Sequence, residues 1–119
     1  MKYQIYILKY LDFNELKELD LSGNKISYIN ILENVDFKNL NKLNLSNNLI
    51  SDISILEKVN FKELKELYLA HNKILNIKVL EKAKLEKLEK ITLKYNLFKE
   101  RECKETLELL ESKIVNYHY

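Results

Sequence analysis

The sequence contains no proline, no tryptophan, one cysteine and one glycine among its 119 residues. A lone cysteine, Cys103, cannot form an intrachain disulfide. One glycine is too few for the glycine-rich loops that bind phosphate groups, which need at least two. No apolar run reaches the roughly 20 residues of a transmembrane helix, and the first residues do not have the pattern of a signal peptide. We therefore expect a cytoplasmic protein that has no membrane partner.

Positive and negative charges are nearly balanced. The 20 lysines and arginines nearly balance 18 aspartates and glutamates, which leaves a net charge of +2. Binding to a phosphate backbone requires clustered lysines and arginines, so we expect no nucleic-acid partner. The content of 46% hydrophobic and 32% charged residues is typical of one folded domain, which we expect over residues 1–119.

The sequence aligns with itself at a spacing of 24 residues without a gap. The successive units read LKELDLSGNKISYINILENVDFKN, LNKLNLSNNLISDISILEKVNFKE, LKELYLAHNKILNIKVLEKAKLEK and, in part, LEKITLKYNLFK. Each unit begins with a leucine and carries an asparagine at one fixed position, which is Asn24, Asn48, Asn72 or Asn96. This self-similarity predicts a repeat protein.

Two spacings of apolar residues alternate within each unit. Leu19 and Leu21 are two residues apart, which places them on the same face of a strand. After Asn24, Ile26 and Ile29 follow at the spacing of a helical or 3₁₀ segment. One unit cannot bury its apolar face alone, so the units must stack with their strands parallel and about 4.8 Å apart. The predicted fold is therefore an α/β solenoid.

The motif LxxLxLxxNxI at this spacing resembles the leucine-rich repeat (LRR) family. The continuation IxxIxxL, as in ISYINIL and ISDISIL, is similar to internalin-like and phosphatase-regulator-like members. The resemblance implies a right-handed, horseshoe-shaped solenoid with a parallel β-sheet on the concave face and short helical or 3₁₀ segments on the convex face. It also implies that the concave face binds a protein or a peptide.

The repeated asparagines are predicted to have a structural role. At the end of each strand the chain turns inward and leaves backbone N–H and C=O groups in need of partners. A side-chain amide can donate and accept hydrogen bonds at the same time. We therefore expect Asn24, Asn48, Asn72 and Asn96 to form a ladder along the solenoid.

The spacing divides the chain into a partial first repeat, three full repeats, a divergent repeat with a helix, and a partial last repeat. Their bounds are, in order, 1–15, 16–39, 40–63, 64–87, 88–111 and 112–119. Unless residues 1–15 cover it, the first strand leaves an unpaired edge at the N-terminal end of the sheet, which favours self-association there.

The divergent repeat carries Cys103, Leu107, Leu110 and Ile114 at helical spacing, which predicts a helix with Cys103 as a buried filler. Continuing the 24-residue spacing predicts a fifth strand from about Ile114 to His118. In that register Asn116 lies beside Thr92, and His118 lies beside Lys94. The alternative is a helix that runs to the end of the chain and replaces the fifth strand.

Solvent-facing residues of successive strands stack into columns on the concave face. In one column Glu18, Lys42, Glu66 and Lys90 alternate in sign, which predicts a ladder of attracting neighbours. Another column leads from Gly23 through Asn47, His71 and Tyr95 to Tyr119 and becomes aromatic.

Tyrosine is enriched in binding hot spots, so we interpret the aromatic end of these columns as a recognition patch. Its candidate residues are Tyr68, His71, Tyr95, His118 and Tyr119, with Asn44, Asn47 and Lys94 at its margin. The alternative is that these aromatic residues reflect strand propensity alone.

Catalytic chemistry has few candidate residues. His71 and His118 lie two repeats apart, about 10 Å by strand spacing, which is too far to share one zinc ion. Cys103 has no histidine near it in the sequence. We therefore expect no catalytic residue, no metal site and no cofactor, and we do not expect an enzyme.

The sequence thus predicts a non-catalytic scaffold that binds a protein or a peptide on its concave face. One alternative is a structural unit that forms homodimers or stacks through its uncapped end. A second alternative, suggested by the family resemblance alone, is a regulatory subunit of an enzyme such as a phosphatase.

Overall fold

The computed structural model describes residues 14–114 and 116–118, so the predicted partial repeat at residues 1–15 lies almost entirely outside them. In this part of the chain the strands join into one parallel sheet, in sequence order. The strands are β1 (Glu18–Asp20), β2 (Lys42–Asn44), β3 (Glu66–Tyr68), β4 (Lys90–Thr92) and β5 (Asn116–His118). Each strand pairs with the strand of the next repeat, and the predicted α/β solenoid is confirmed.

A short helical segment crosses the back of each repeat. The first three are 3₁₀ helices at Asn30–Asn34, Ser54–Glu57 and Lys78–Glu81. After β4, the 3₁₀ helix Glu100–Glu102 leads into the α-helix α1, Lys104–Lys113. Among the described residues, none of these helices has the length and apolarity needed to cross a membrane.

The register of the first four strands follows the 24-residue spacing. Leu19 lies opposite Leu43, Leu43 opposite Leu67, and Leu67 opposite Ile91. Side chains of Leu43 and Leu67 are fully buried between the sheet and the helical segments. The spacing of two between leucines therefore marks the core-facing side of the sheet, as predicted.

The last repeat departs from that spacing. Asn116 pairs with Lys90 and His118 pairs with Thr92, an offset of 26 residues. The prediction of a fifth strand is confirmed and the alternative of a helix to the chain end is wrong. The predicted register, with Asn116 beside Thr92 and His118 beside Lys94, is also wrong. An α-helix rises about 1.5 Å per residue against about 2.0 Å for a 3₁₀ helix, so α1 needs more residues to cross the repeat.

Helix α1 closes the described core at its C-terminal side. Cys103, Leu107, Leu110 and Ile114 are all buried, so the predicted apolar face is confirmed. Thr106, which is also buried, donates a hydrogen bond to Glu81 Oε2 of the preceding repeat at 2.6 Å. Cys103 is a free thiol within this packing and fills space as predicted.

Candidate functional site

Asparagine amides hold the chain in place where each strand ends. Asn48 Oδ1 accepts hydrogen bonds from the backbone N–H groups of Asn24 and Ile26, each at 2.9 Å. Its Nδ2 donates to the carbonyl oxygens of Leu21 and Leu45, each at 3.0 Å. One buried side chain therefore satisfies backbone groups in two successive repeats.

The next repeat reproduces this arrangement. Asn72 accepts a hydrogen bond from Ile50 N at 3.1 Å and donates to Leu45 O at 3.0 Å and Leu69 O at 3.1 Å. Asn96 Nδ2 donates to the same Leu69 oxygen at 3.0 Å. These bonds fix the position of the residue that precedes each asparagine, and that residue faces solvent.

The residue before each of these asparagines has a left-handed backbone. The φ angles are 69° for Gly23, 57° for Asn47, 58° for His71 and 61° for Tyr95. Glycine adopts this conformation freely and asparagine tolerates it, whereas a bulky residue is strained by about 1–2 kcal/mol. The sequence columns identified these residues but not their conformation, for which Gly23 and Asn47 were the only signals.

The side chains of His71 and Tyr95, the two aromatic residues with a strained backbone, contact each other. The rings of His71 and Tyr95 stack with centroids 4.3 Å apart and planes inclined by 20°. Both residues are exposed, and Tyr95 retains 69% of its accessible surface. Beside them, Lys94, Tyr95 and Phe98 line a shallow cleft of about 320 Å³. The stack therefore offers an aromatic surface next to a recess that can accept a partner's side chain.

Tyr68 lies at the end of β3, half-buried, in a polar cluster. Its hydroxyl donates a hydrogen bond to the carboxylate of Glu66. The ammonium groups of Lys42 and Lys90 lie 5.4 and 5.2 Å from the centre of its ring. The predicted charge column is thus in register, but its lysines reach over an aromatic ring, an interaction that itself stabilises the cation.

The residues at the margin of the predicted patch are of two kinds. Asn44 forms hydrogen bonds within its own turn, whereas the others are exposed to solvent. Asn44 Oδ1 accepts hydrogen bonds from Ser46 N at 3.0 Å and Ser46 Oγ at 2.6 Å, so this oxygen already has partners. Asp20 and Ser22 make the same turn one repeat earlier, and the side-chain hydrogen bond from Ser22 helps to lower the pKa of Asp20. Lys94 and Asn47 are exposed.

His118, from the last repeat, does not lie where the sequence column put it. His118 pairs with Thr92 in β5, so it continues the column of Tyr68 and not that of Lys94. Tyr119 lies outside the described residues. The structure therefore brings the rings of His71 and Tyr95 into contact. Tyr68 is the last residue of β3, three residues before His71.

Backbone strain at Tyr95 can be measured with a pair of variants. We expect Tyr95→Gly to be more stable than Tyr95→Ala by about 1 kcal/mol, because alanine retains the Cβ atom that disfavours a positive φ. Both variants lose the stack on His71, so their difference isolates the strain. Urea unfolding of the two variants provides the measurement, and equal stabilities would contradict a left-handed backbone at this position.

The environment of Tyr68 predicts a titration at high pH. Burial, followed by the hydrogen bond to Glu66, raises the pKa of Tyr68 from 10.0 to about 12. The folded state thus holds this proton more tightly than the unfolded chain, and the stability it confers is present below pH 10 and falls between about pH 10 and 12. Ultraviolet titration should show a tyrosinate component near pH 12 that Tyr68→Phe removes. A native curve that coincides with the variant's in this range would contradict the assignment.

The chain is similar to known repeat proteins. Residues 14–58 match the family model of leucine-rich repeats in two copies. The crystal structure of internalin C2 from Listeria monocytogenes is 31% identical over 72% of this chain, with a TM-score of 0.61. That of another internalin (inlF) from the same organism is 29% identical over 89% of this chain, with a TM-score of 0.67.

The matched regions are parts of longer proteins. This chain spans 35% of the internalin C2 structure and 29% of the inlF structure. Among curated protein sequences, none matches this chain significantly. The comparisons therefore concern the repeat architecture.

Proposed function

Since the chain is a leucine-rich-repeat solenoid, we propose that it is a non-catalytic scaffold that binds a protein or a peptide on the concave face of its sheet. The observation that carries this proposal is the stacked pair of His71 and Tyr95, which is exposed although its backbone is strained. Strained residues cluster at binding sites, where function offsets the loss of stability. Tyrosine also provides a large contact area with little rotamer entropy to lose.

The recognition patch of this proposal is centred on Tyr68, His71 and Tyr95, with Lys94 and Asn47 beside them. Tyr68 adds the two nearby ammonium groups, so this part of the face is aromatic and cationic. His118 of β5 extends the patch from the position beside Thr92. Asn44 contributes less, because Ser46 already occupies its oxygen.

The size of the sheet limits what can bind there. Five strands about 4.8 Å apart, with three residues each at about 3.3 Å, form a face of roughly 200 Å². A standard interface covers about 800 Å² of each partner. The face therefore suits a helix or an extended peptide, or a partner that also contacts another surface of the solenoid.

A peptide library displayed on phage can test the patch before any partner has been identified. The library is selected on the native chain and counter-selected on the double variant Tyr68→Ala/Tyr95→Gly, in which glycine fits the left-handed backbone. We expect enriched peptides that bind the native chain and lose about tenfold or more in affinity on the variant, as for hot-spot tyrosines. Glu33→Ala, at an exposed position in the first 3₁₀ helix, is the control and should bind them as the native chain does.

Circular dichroism of the double variant must show an unchanged fold for this comparison. Enriched peptides that bind the native chain and the double variant equally would rule out the patch. Selection that enriches no peptide above the variant would also contradict the proposal. We also infer that this binding occurs in the cytoplasm, with which the free thiol of Cys103 is compatible.

Self-association through the first repeat is a second candidate function. Leu16, Leu19 and Leu21 are half-buried, whereas the equivalent Leu40, Leu43 and Leu45 of the second repeat are fully buried. Apolar surface on the first described repeat favours contact with another copy. Light scattering from low to high micromolar concentration distinguishes the two functions, because only self-association raises the mass without a ligand.

A further inference from the structure

The loops that follow the strands differ in charge from the rest of the molecule. We call residues 22–27, 46–51, 70–75 and 94–99 the ascending flank. It contains no aspartate or glutamate and carries four exposed lysines, Lys25, Lys73, Lys94 and Lys99. The loops on the opposite side of the sheet, residues 36–41, 60–65 and 84–89, carry four acidic and five basic residues. A cationic surface therefore lies on one side of a chain that is nearly neutral overall.

Within the ascending flank, charged and apolar side chains alternate from repeat to repeat. The residue after each ladder asparagine is, in order, Lys25, Leu49, Lys73 and Leu97. Leu49 is 41% exposed and Leu97 is 55% exposed, whereas Lys25 and Lys73 are exposed beside them. This row does not belong to the recognition patch on the concave face.

The spacing of this row is fixed by backbone hydrogen bonds between repeats. Leu49 N donates to Ile26 O at 2.7 Å, and Leu97 N donates to Ile74 O at 2.9 Å. Lys73 N donates in the same way to Ile50 O, at 2.8 Å. Successive backbone positions of the row are therefore about one strand spacing apart, near 4.8 Å, and Lys25 differs from the other three in having a positive φ of 53°.

That distance matches a helix better than a strand. One turn of an α-helix advances about 5.4 Å, so a helix laid along the row presents about one side chain to each repeat. In a bound strand, side chains on one face are about 6.6 Å apart and would fall out of step within two repeats. Carboxylates complement the two lysines, and apolar side chains complement the two leucines.

We propose that the ascending flank docks an acidic amphipathic helix of a partner protein, with carboxylates against Lys25 and Lys73 and apolar side chains against Leu49 and Leu97. The contact goes beyond the concave-face function, because the row of Lys25, Leu49, Lys73 and Leu97 shares no residue with the recognition patch. It gives the small solenoid the additional contact area that its concave face lacks.

Nucleic acid and membrane are weaker candidates for the same surface. Salt-dependent binding to a phosphate backbone draws on about six to ten cationic contacts, whereas the flank offers four lysines and no arginine. Stable membrane attachment generally requires two independent anchoring signals, and four separate lysines with two leucines form one weak signal. An alternating row with fixed spacing is better matched by a folded helix.

A synthetic helical peptide tests the proposal directly. It carries Glu, Leu, Glu and Leu at successive turns of one face and alanine and glutamine elsewhere, and a second peptide has the same composition in scrambled order. We expect the ordered peptide to bind the native chain, and salt to weaken the binding. Leu49→Ser/Leu97→Ser and Lys73→Glu should each weaken it about tenfold. Lys62→Glu makes the same charge change on the opposite flank and should alter affinity less than twofold.

Three outcomes would overturn the proposal. The first is no binding of the ordered peptide at millimolar concentration. The second is equal binding of the ordered and scrambled peptides, or of the native chain and the Lys73→Glu variant. The third is binding of phosphatidylserine vesicles or a single-stranded oligonucleotide, but not the peptide, with loss in Lys73→Glu. The variant Tyr68→Ala, at a residue outside the ascending flank, should bind the ordered peptide like the native chain, so this surface and the concave patch are tested separately.

Discussion

Replacing Asn72 with alanine is expected to lower the free energy of unfolding by about 2–4 kcal/mol. The side chain is buried and pairs with Ile50 N–H and with the carbonyl oxygens of Leu45 and Leu69. Alanine leaves Ile50 N–H without its partner, whereas the oxygens of Leu45 and Leu69 each lose one donor and keep a second, from Asn48 and Asn96 respectively. The unpaired buried N–H costs about 1–3 kcal/mol, and the loss of one of two donors at each carbonyl oxygen adds a smaller amount.

One further variant identifies which part of the amide matters, and another serves as a control. Asn72→Asp keeps an oxygen for Ile50 N–H but turns a second oxygen toward the carbonyl groups of Leu45 and Leu69. We expect it to be at least as destabilising as alanine at neutral pH. Asn60→Ala, at an exposed position, should change stability by less than about 0.5 kcal/mol. Urea unfolding measures all three variants, and a tolerated aspartate would show that donation to the carbonyl oxygens is unimportant.

The strand register could be predicted because two independent sequence patterns agree. Leucines two residues apart define the buried face, and the 24-residue spacing fixes which leucine neighbours which. A slip of one residue would turn Leu43 outward and Lys42 inward, so the register has no competitor of similar energy. The helix face of Cys103 and Leu107 could be predicted for the same reason, since helical spacing differs from strand spacing.

The last repeat could not be placed from spacing alone. The number of residues in a repeat depends on whether its back is an α-helix or a 3₁₀ helix, because the two rise by different amounts per residue. The sequence pattern of α1 indicated a helix, but the rigid count of 24 residues did not include the two extra residues that it needs. Because of this error, the prediction placed His118 beside Lys94, two residues beyond its observed partner Thr92.

The candidate site was only partly predictable, because it depends on backbone conformation and side-chain direction. Nothing in a column of Gly23, Asn47, His71 and Tyr95 states that each has a positive φ, although glycine and asparagine both favour it. The sequence also did not show that Lys42 and Lys90 lie over the ring of Tyr68, because a column of alternating charges predicts only pairs of lysine and glutamate. A tyrosine ring between two strands can attract both ammonium groups while its hydroxyl pairs with the intervening carboxylate.

Replacing Phe61 with alanine is expected to lower the free energy of unfolding by about 3–5 kcal/mol. The ring is fully buried and stacks on Phe37, with centroids 6.1 Å apart. Phe61→Leu should cost only about 1 kcal/mol, because Leu85 occupies the equivalent position of the next repeat and the core accepts a change of shape at similar volume.

The position of Phe61 in the array adds a second readout. A solenoid is stabilised by contacts between neighbouring repeats, so a cavity in a central repeat weakens the coupling between the two ends. Urea unfolding of Phe61→Ala should therefore give a lower midpoint and a smaller denaturant slope, since the ends begin to unfold separately. Phe61→Leu should keep the native slope. A lower midpoint with an unchanged slope in the alanine variant would mean that the repeats still unfold as one unit, and that the asparagine ladder couples them without the phenylalanine stack.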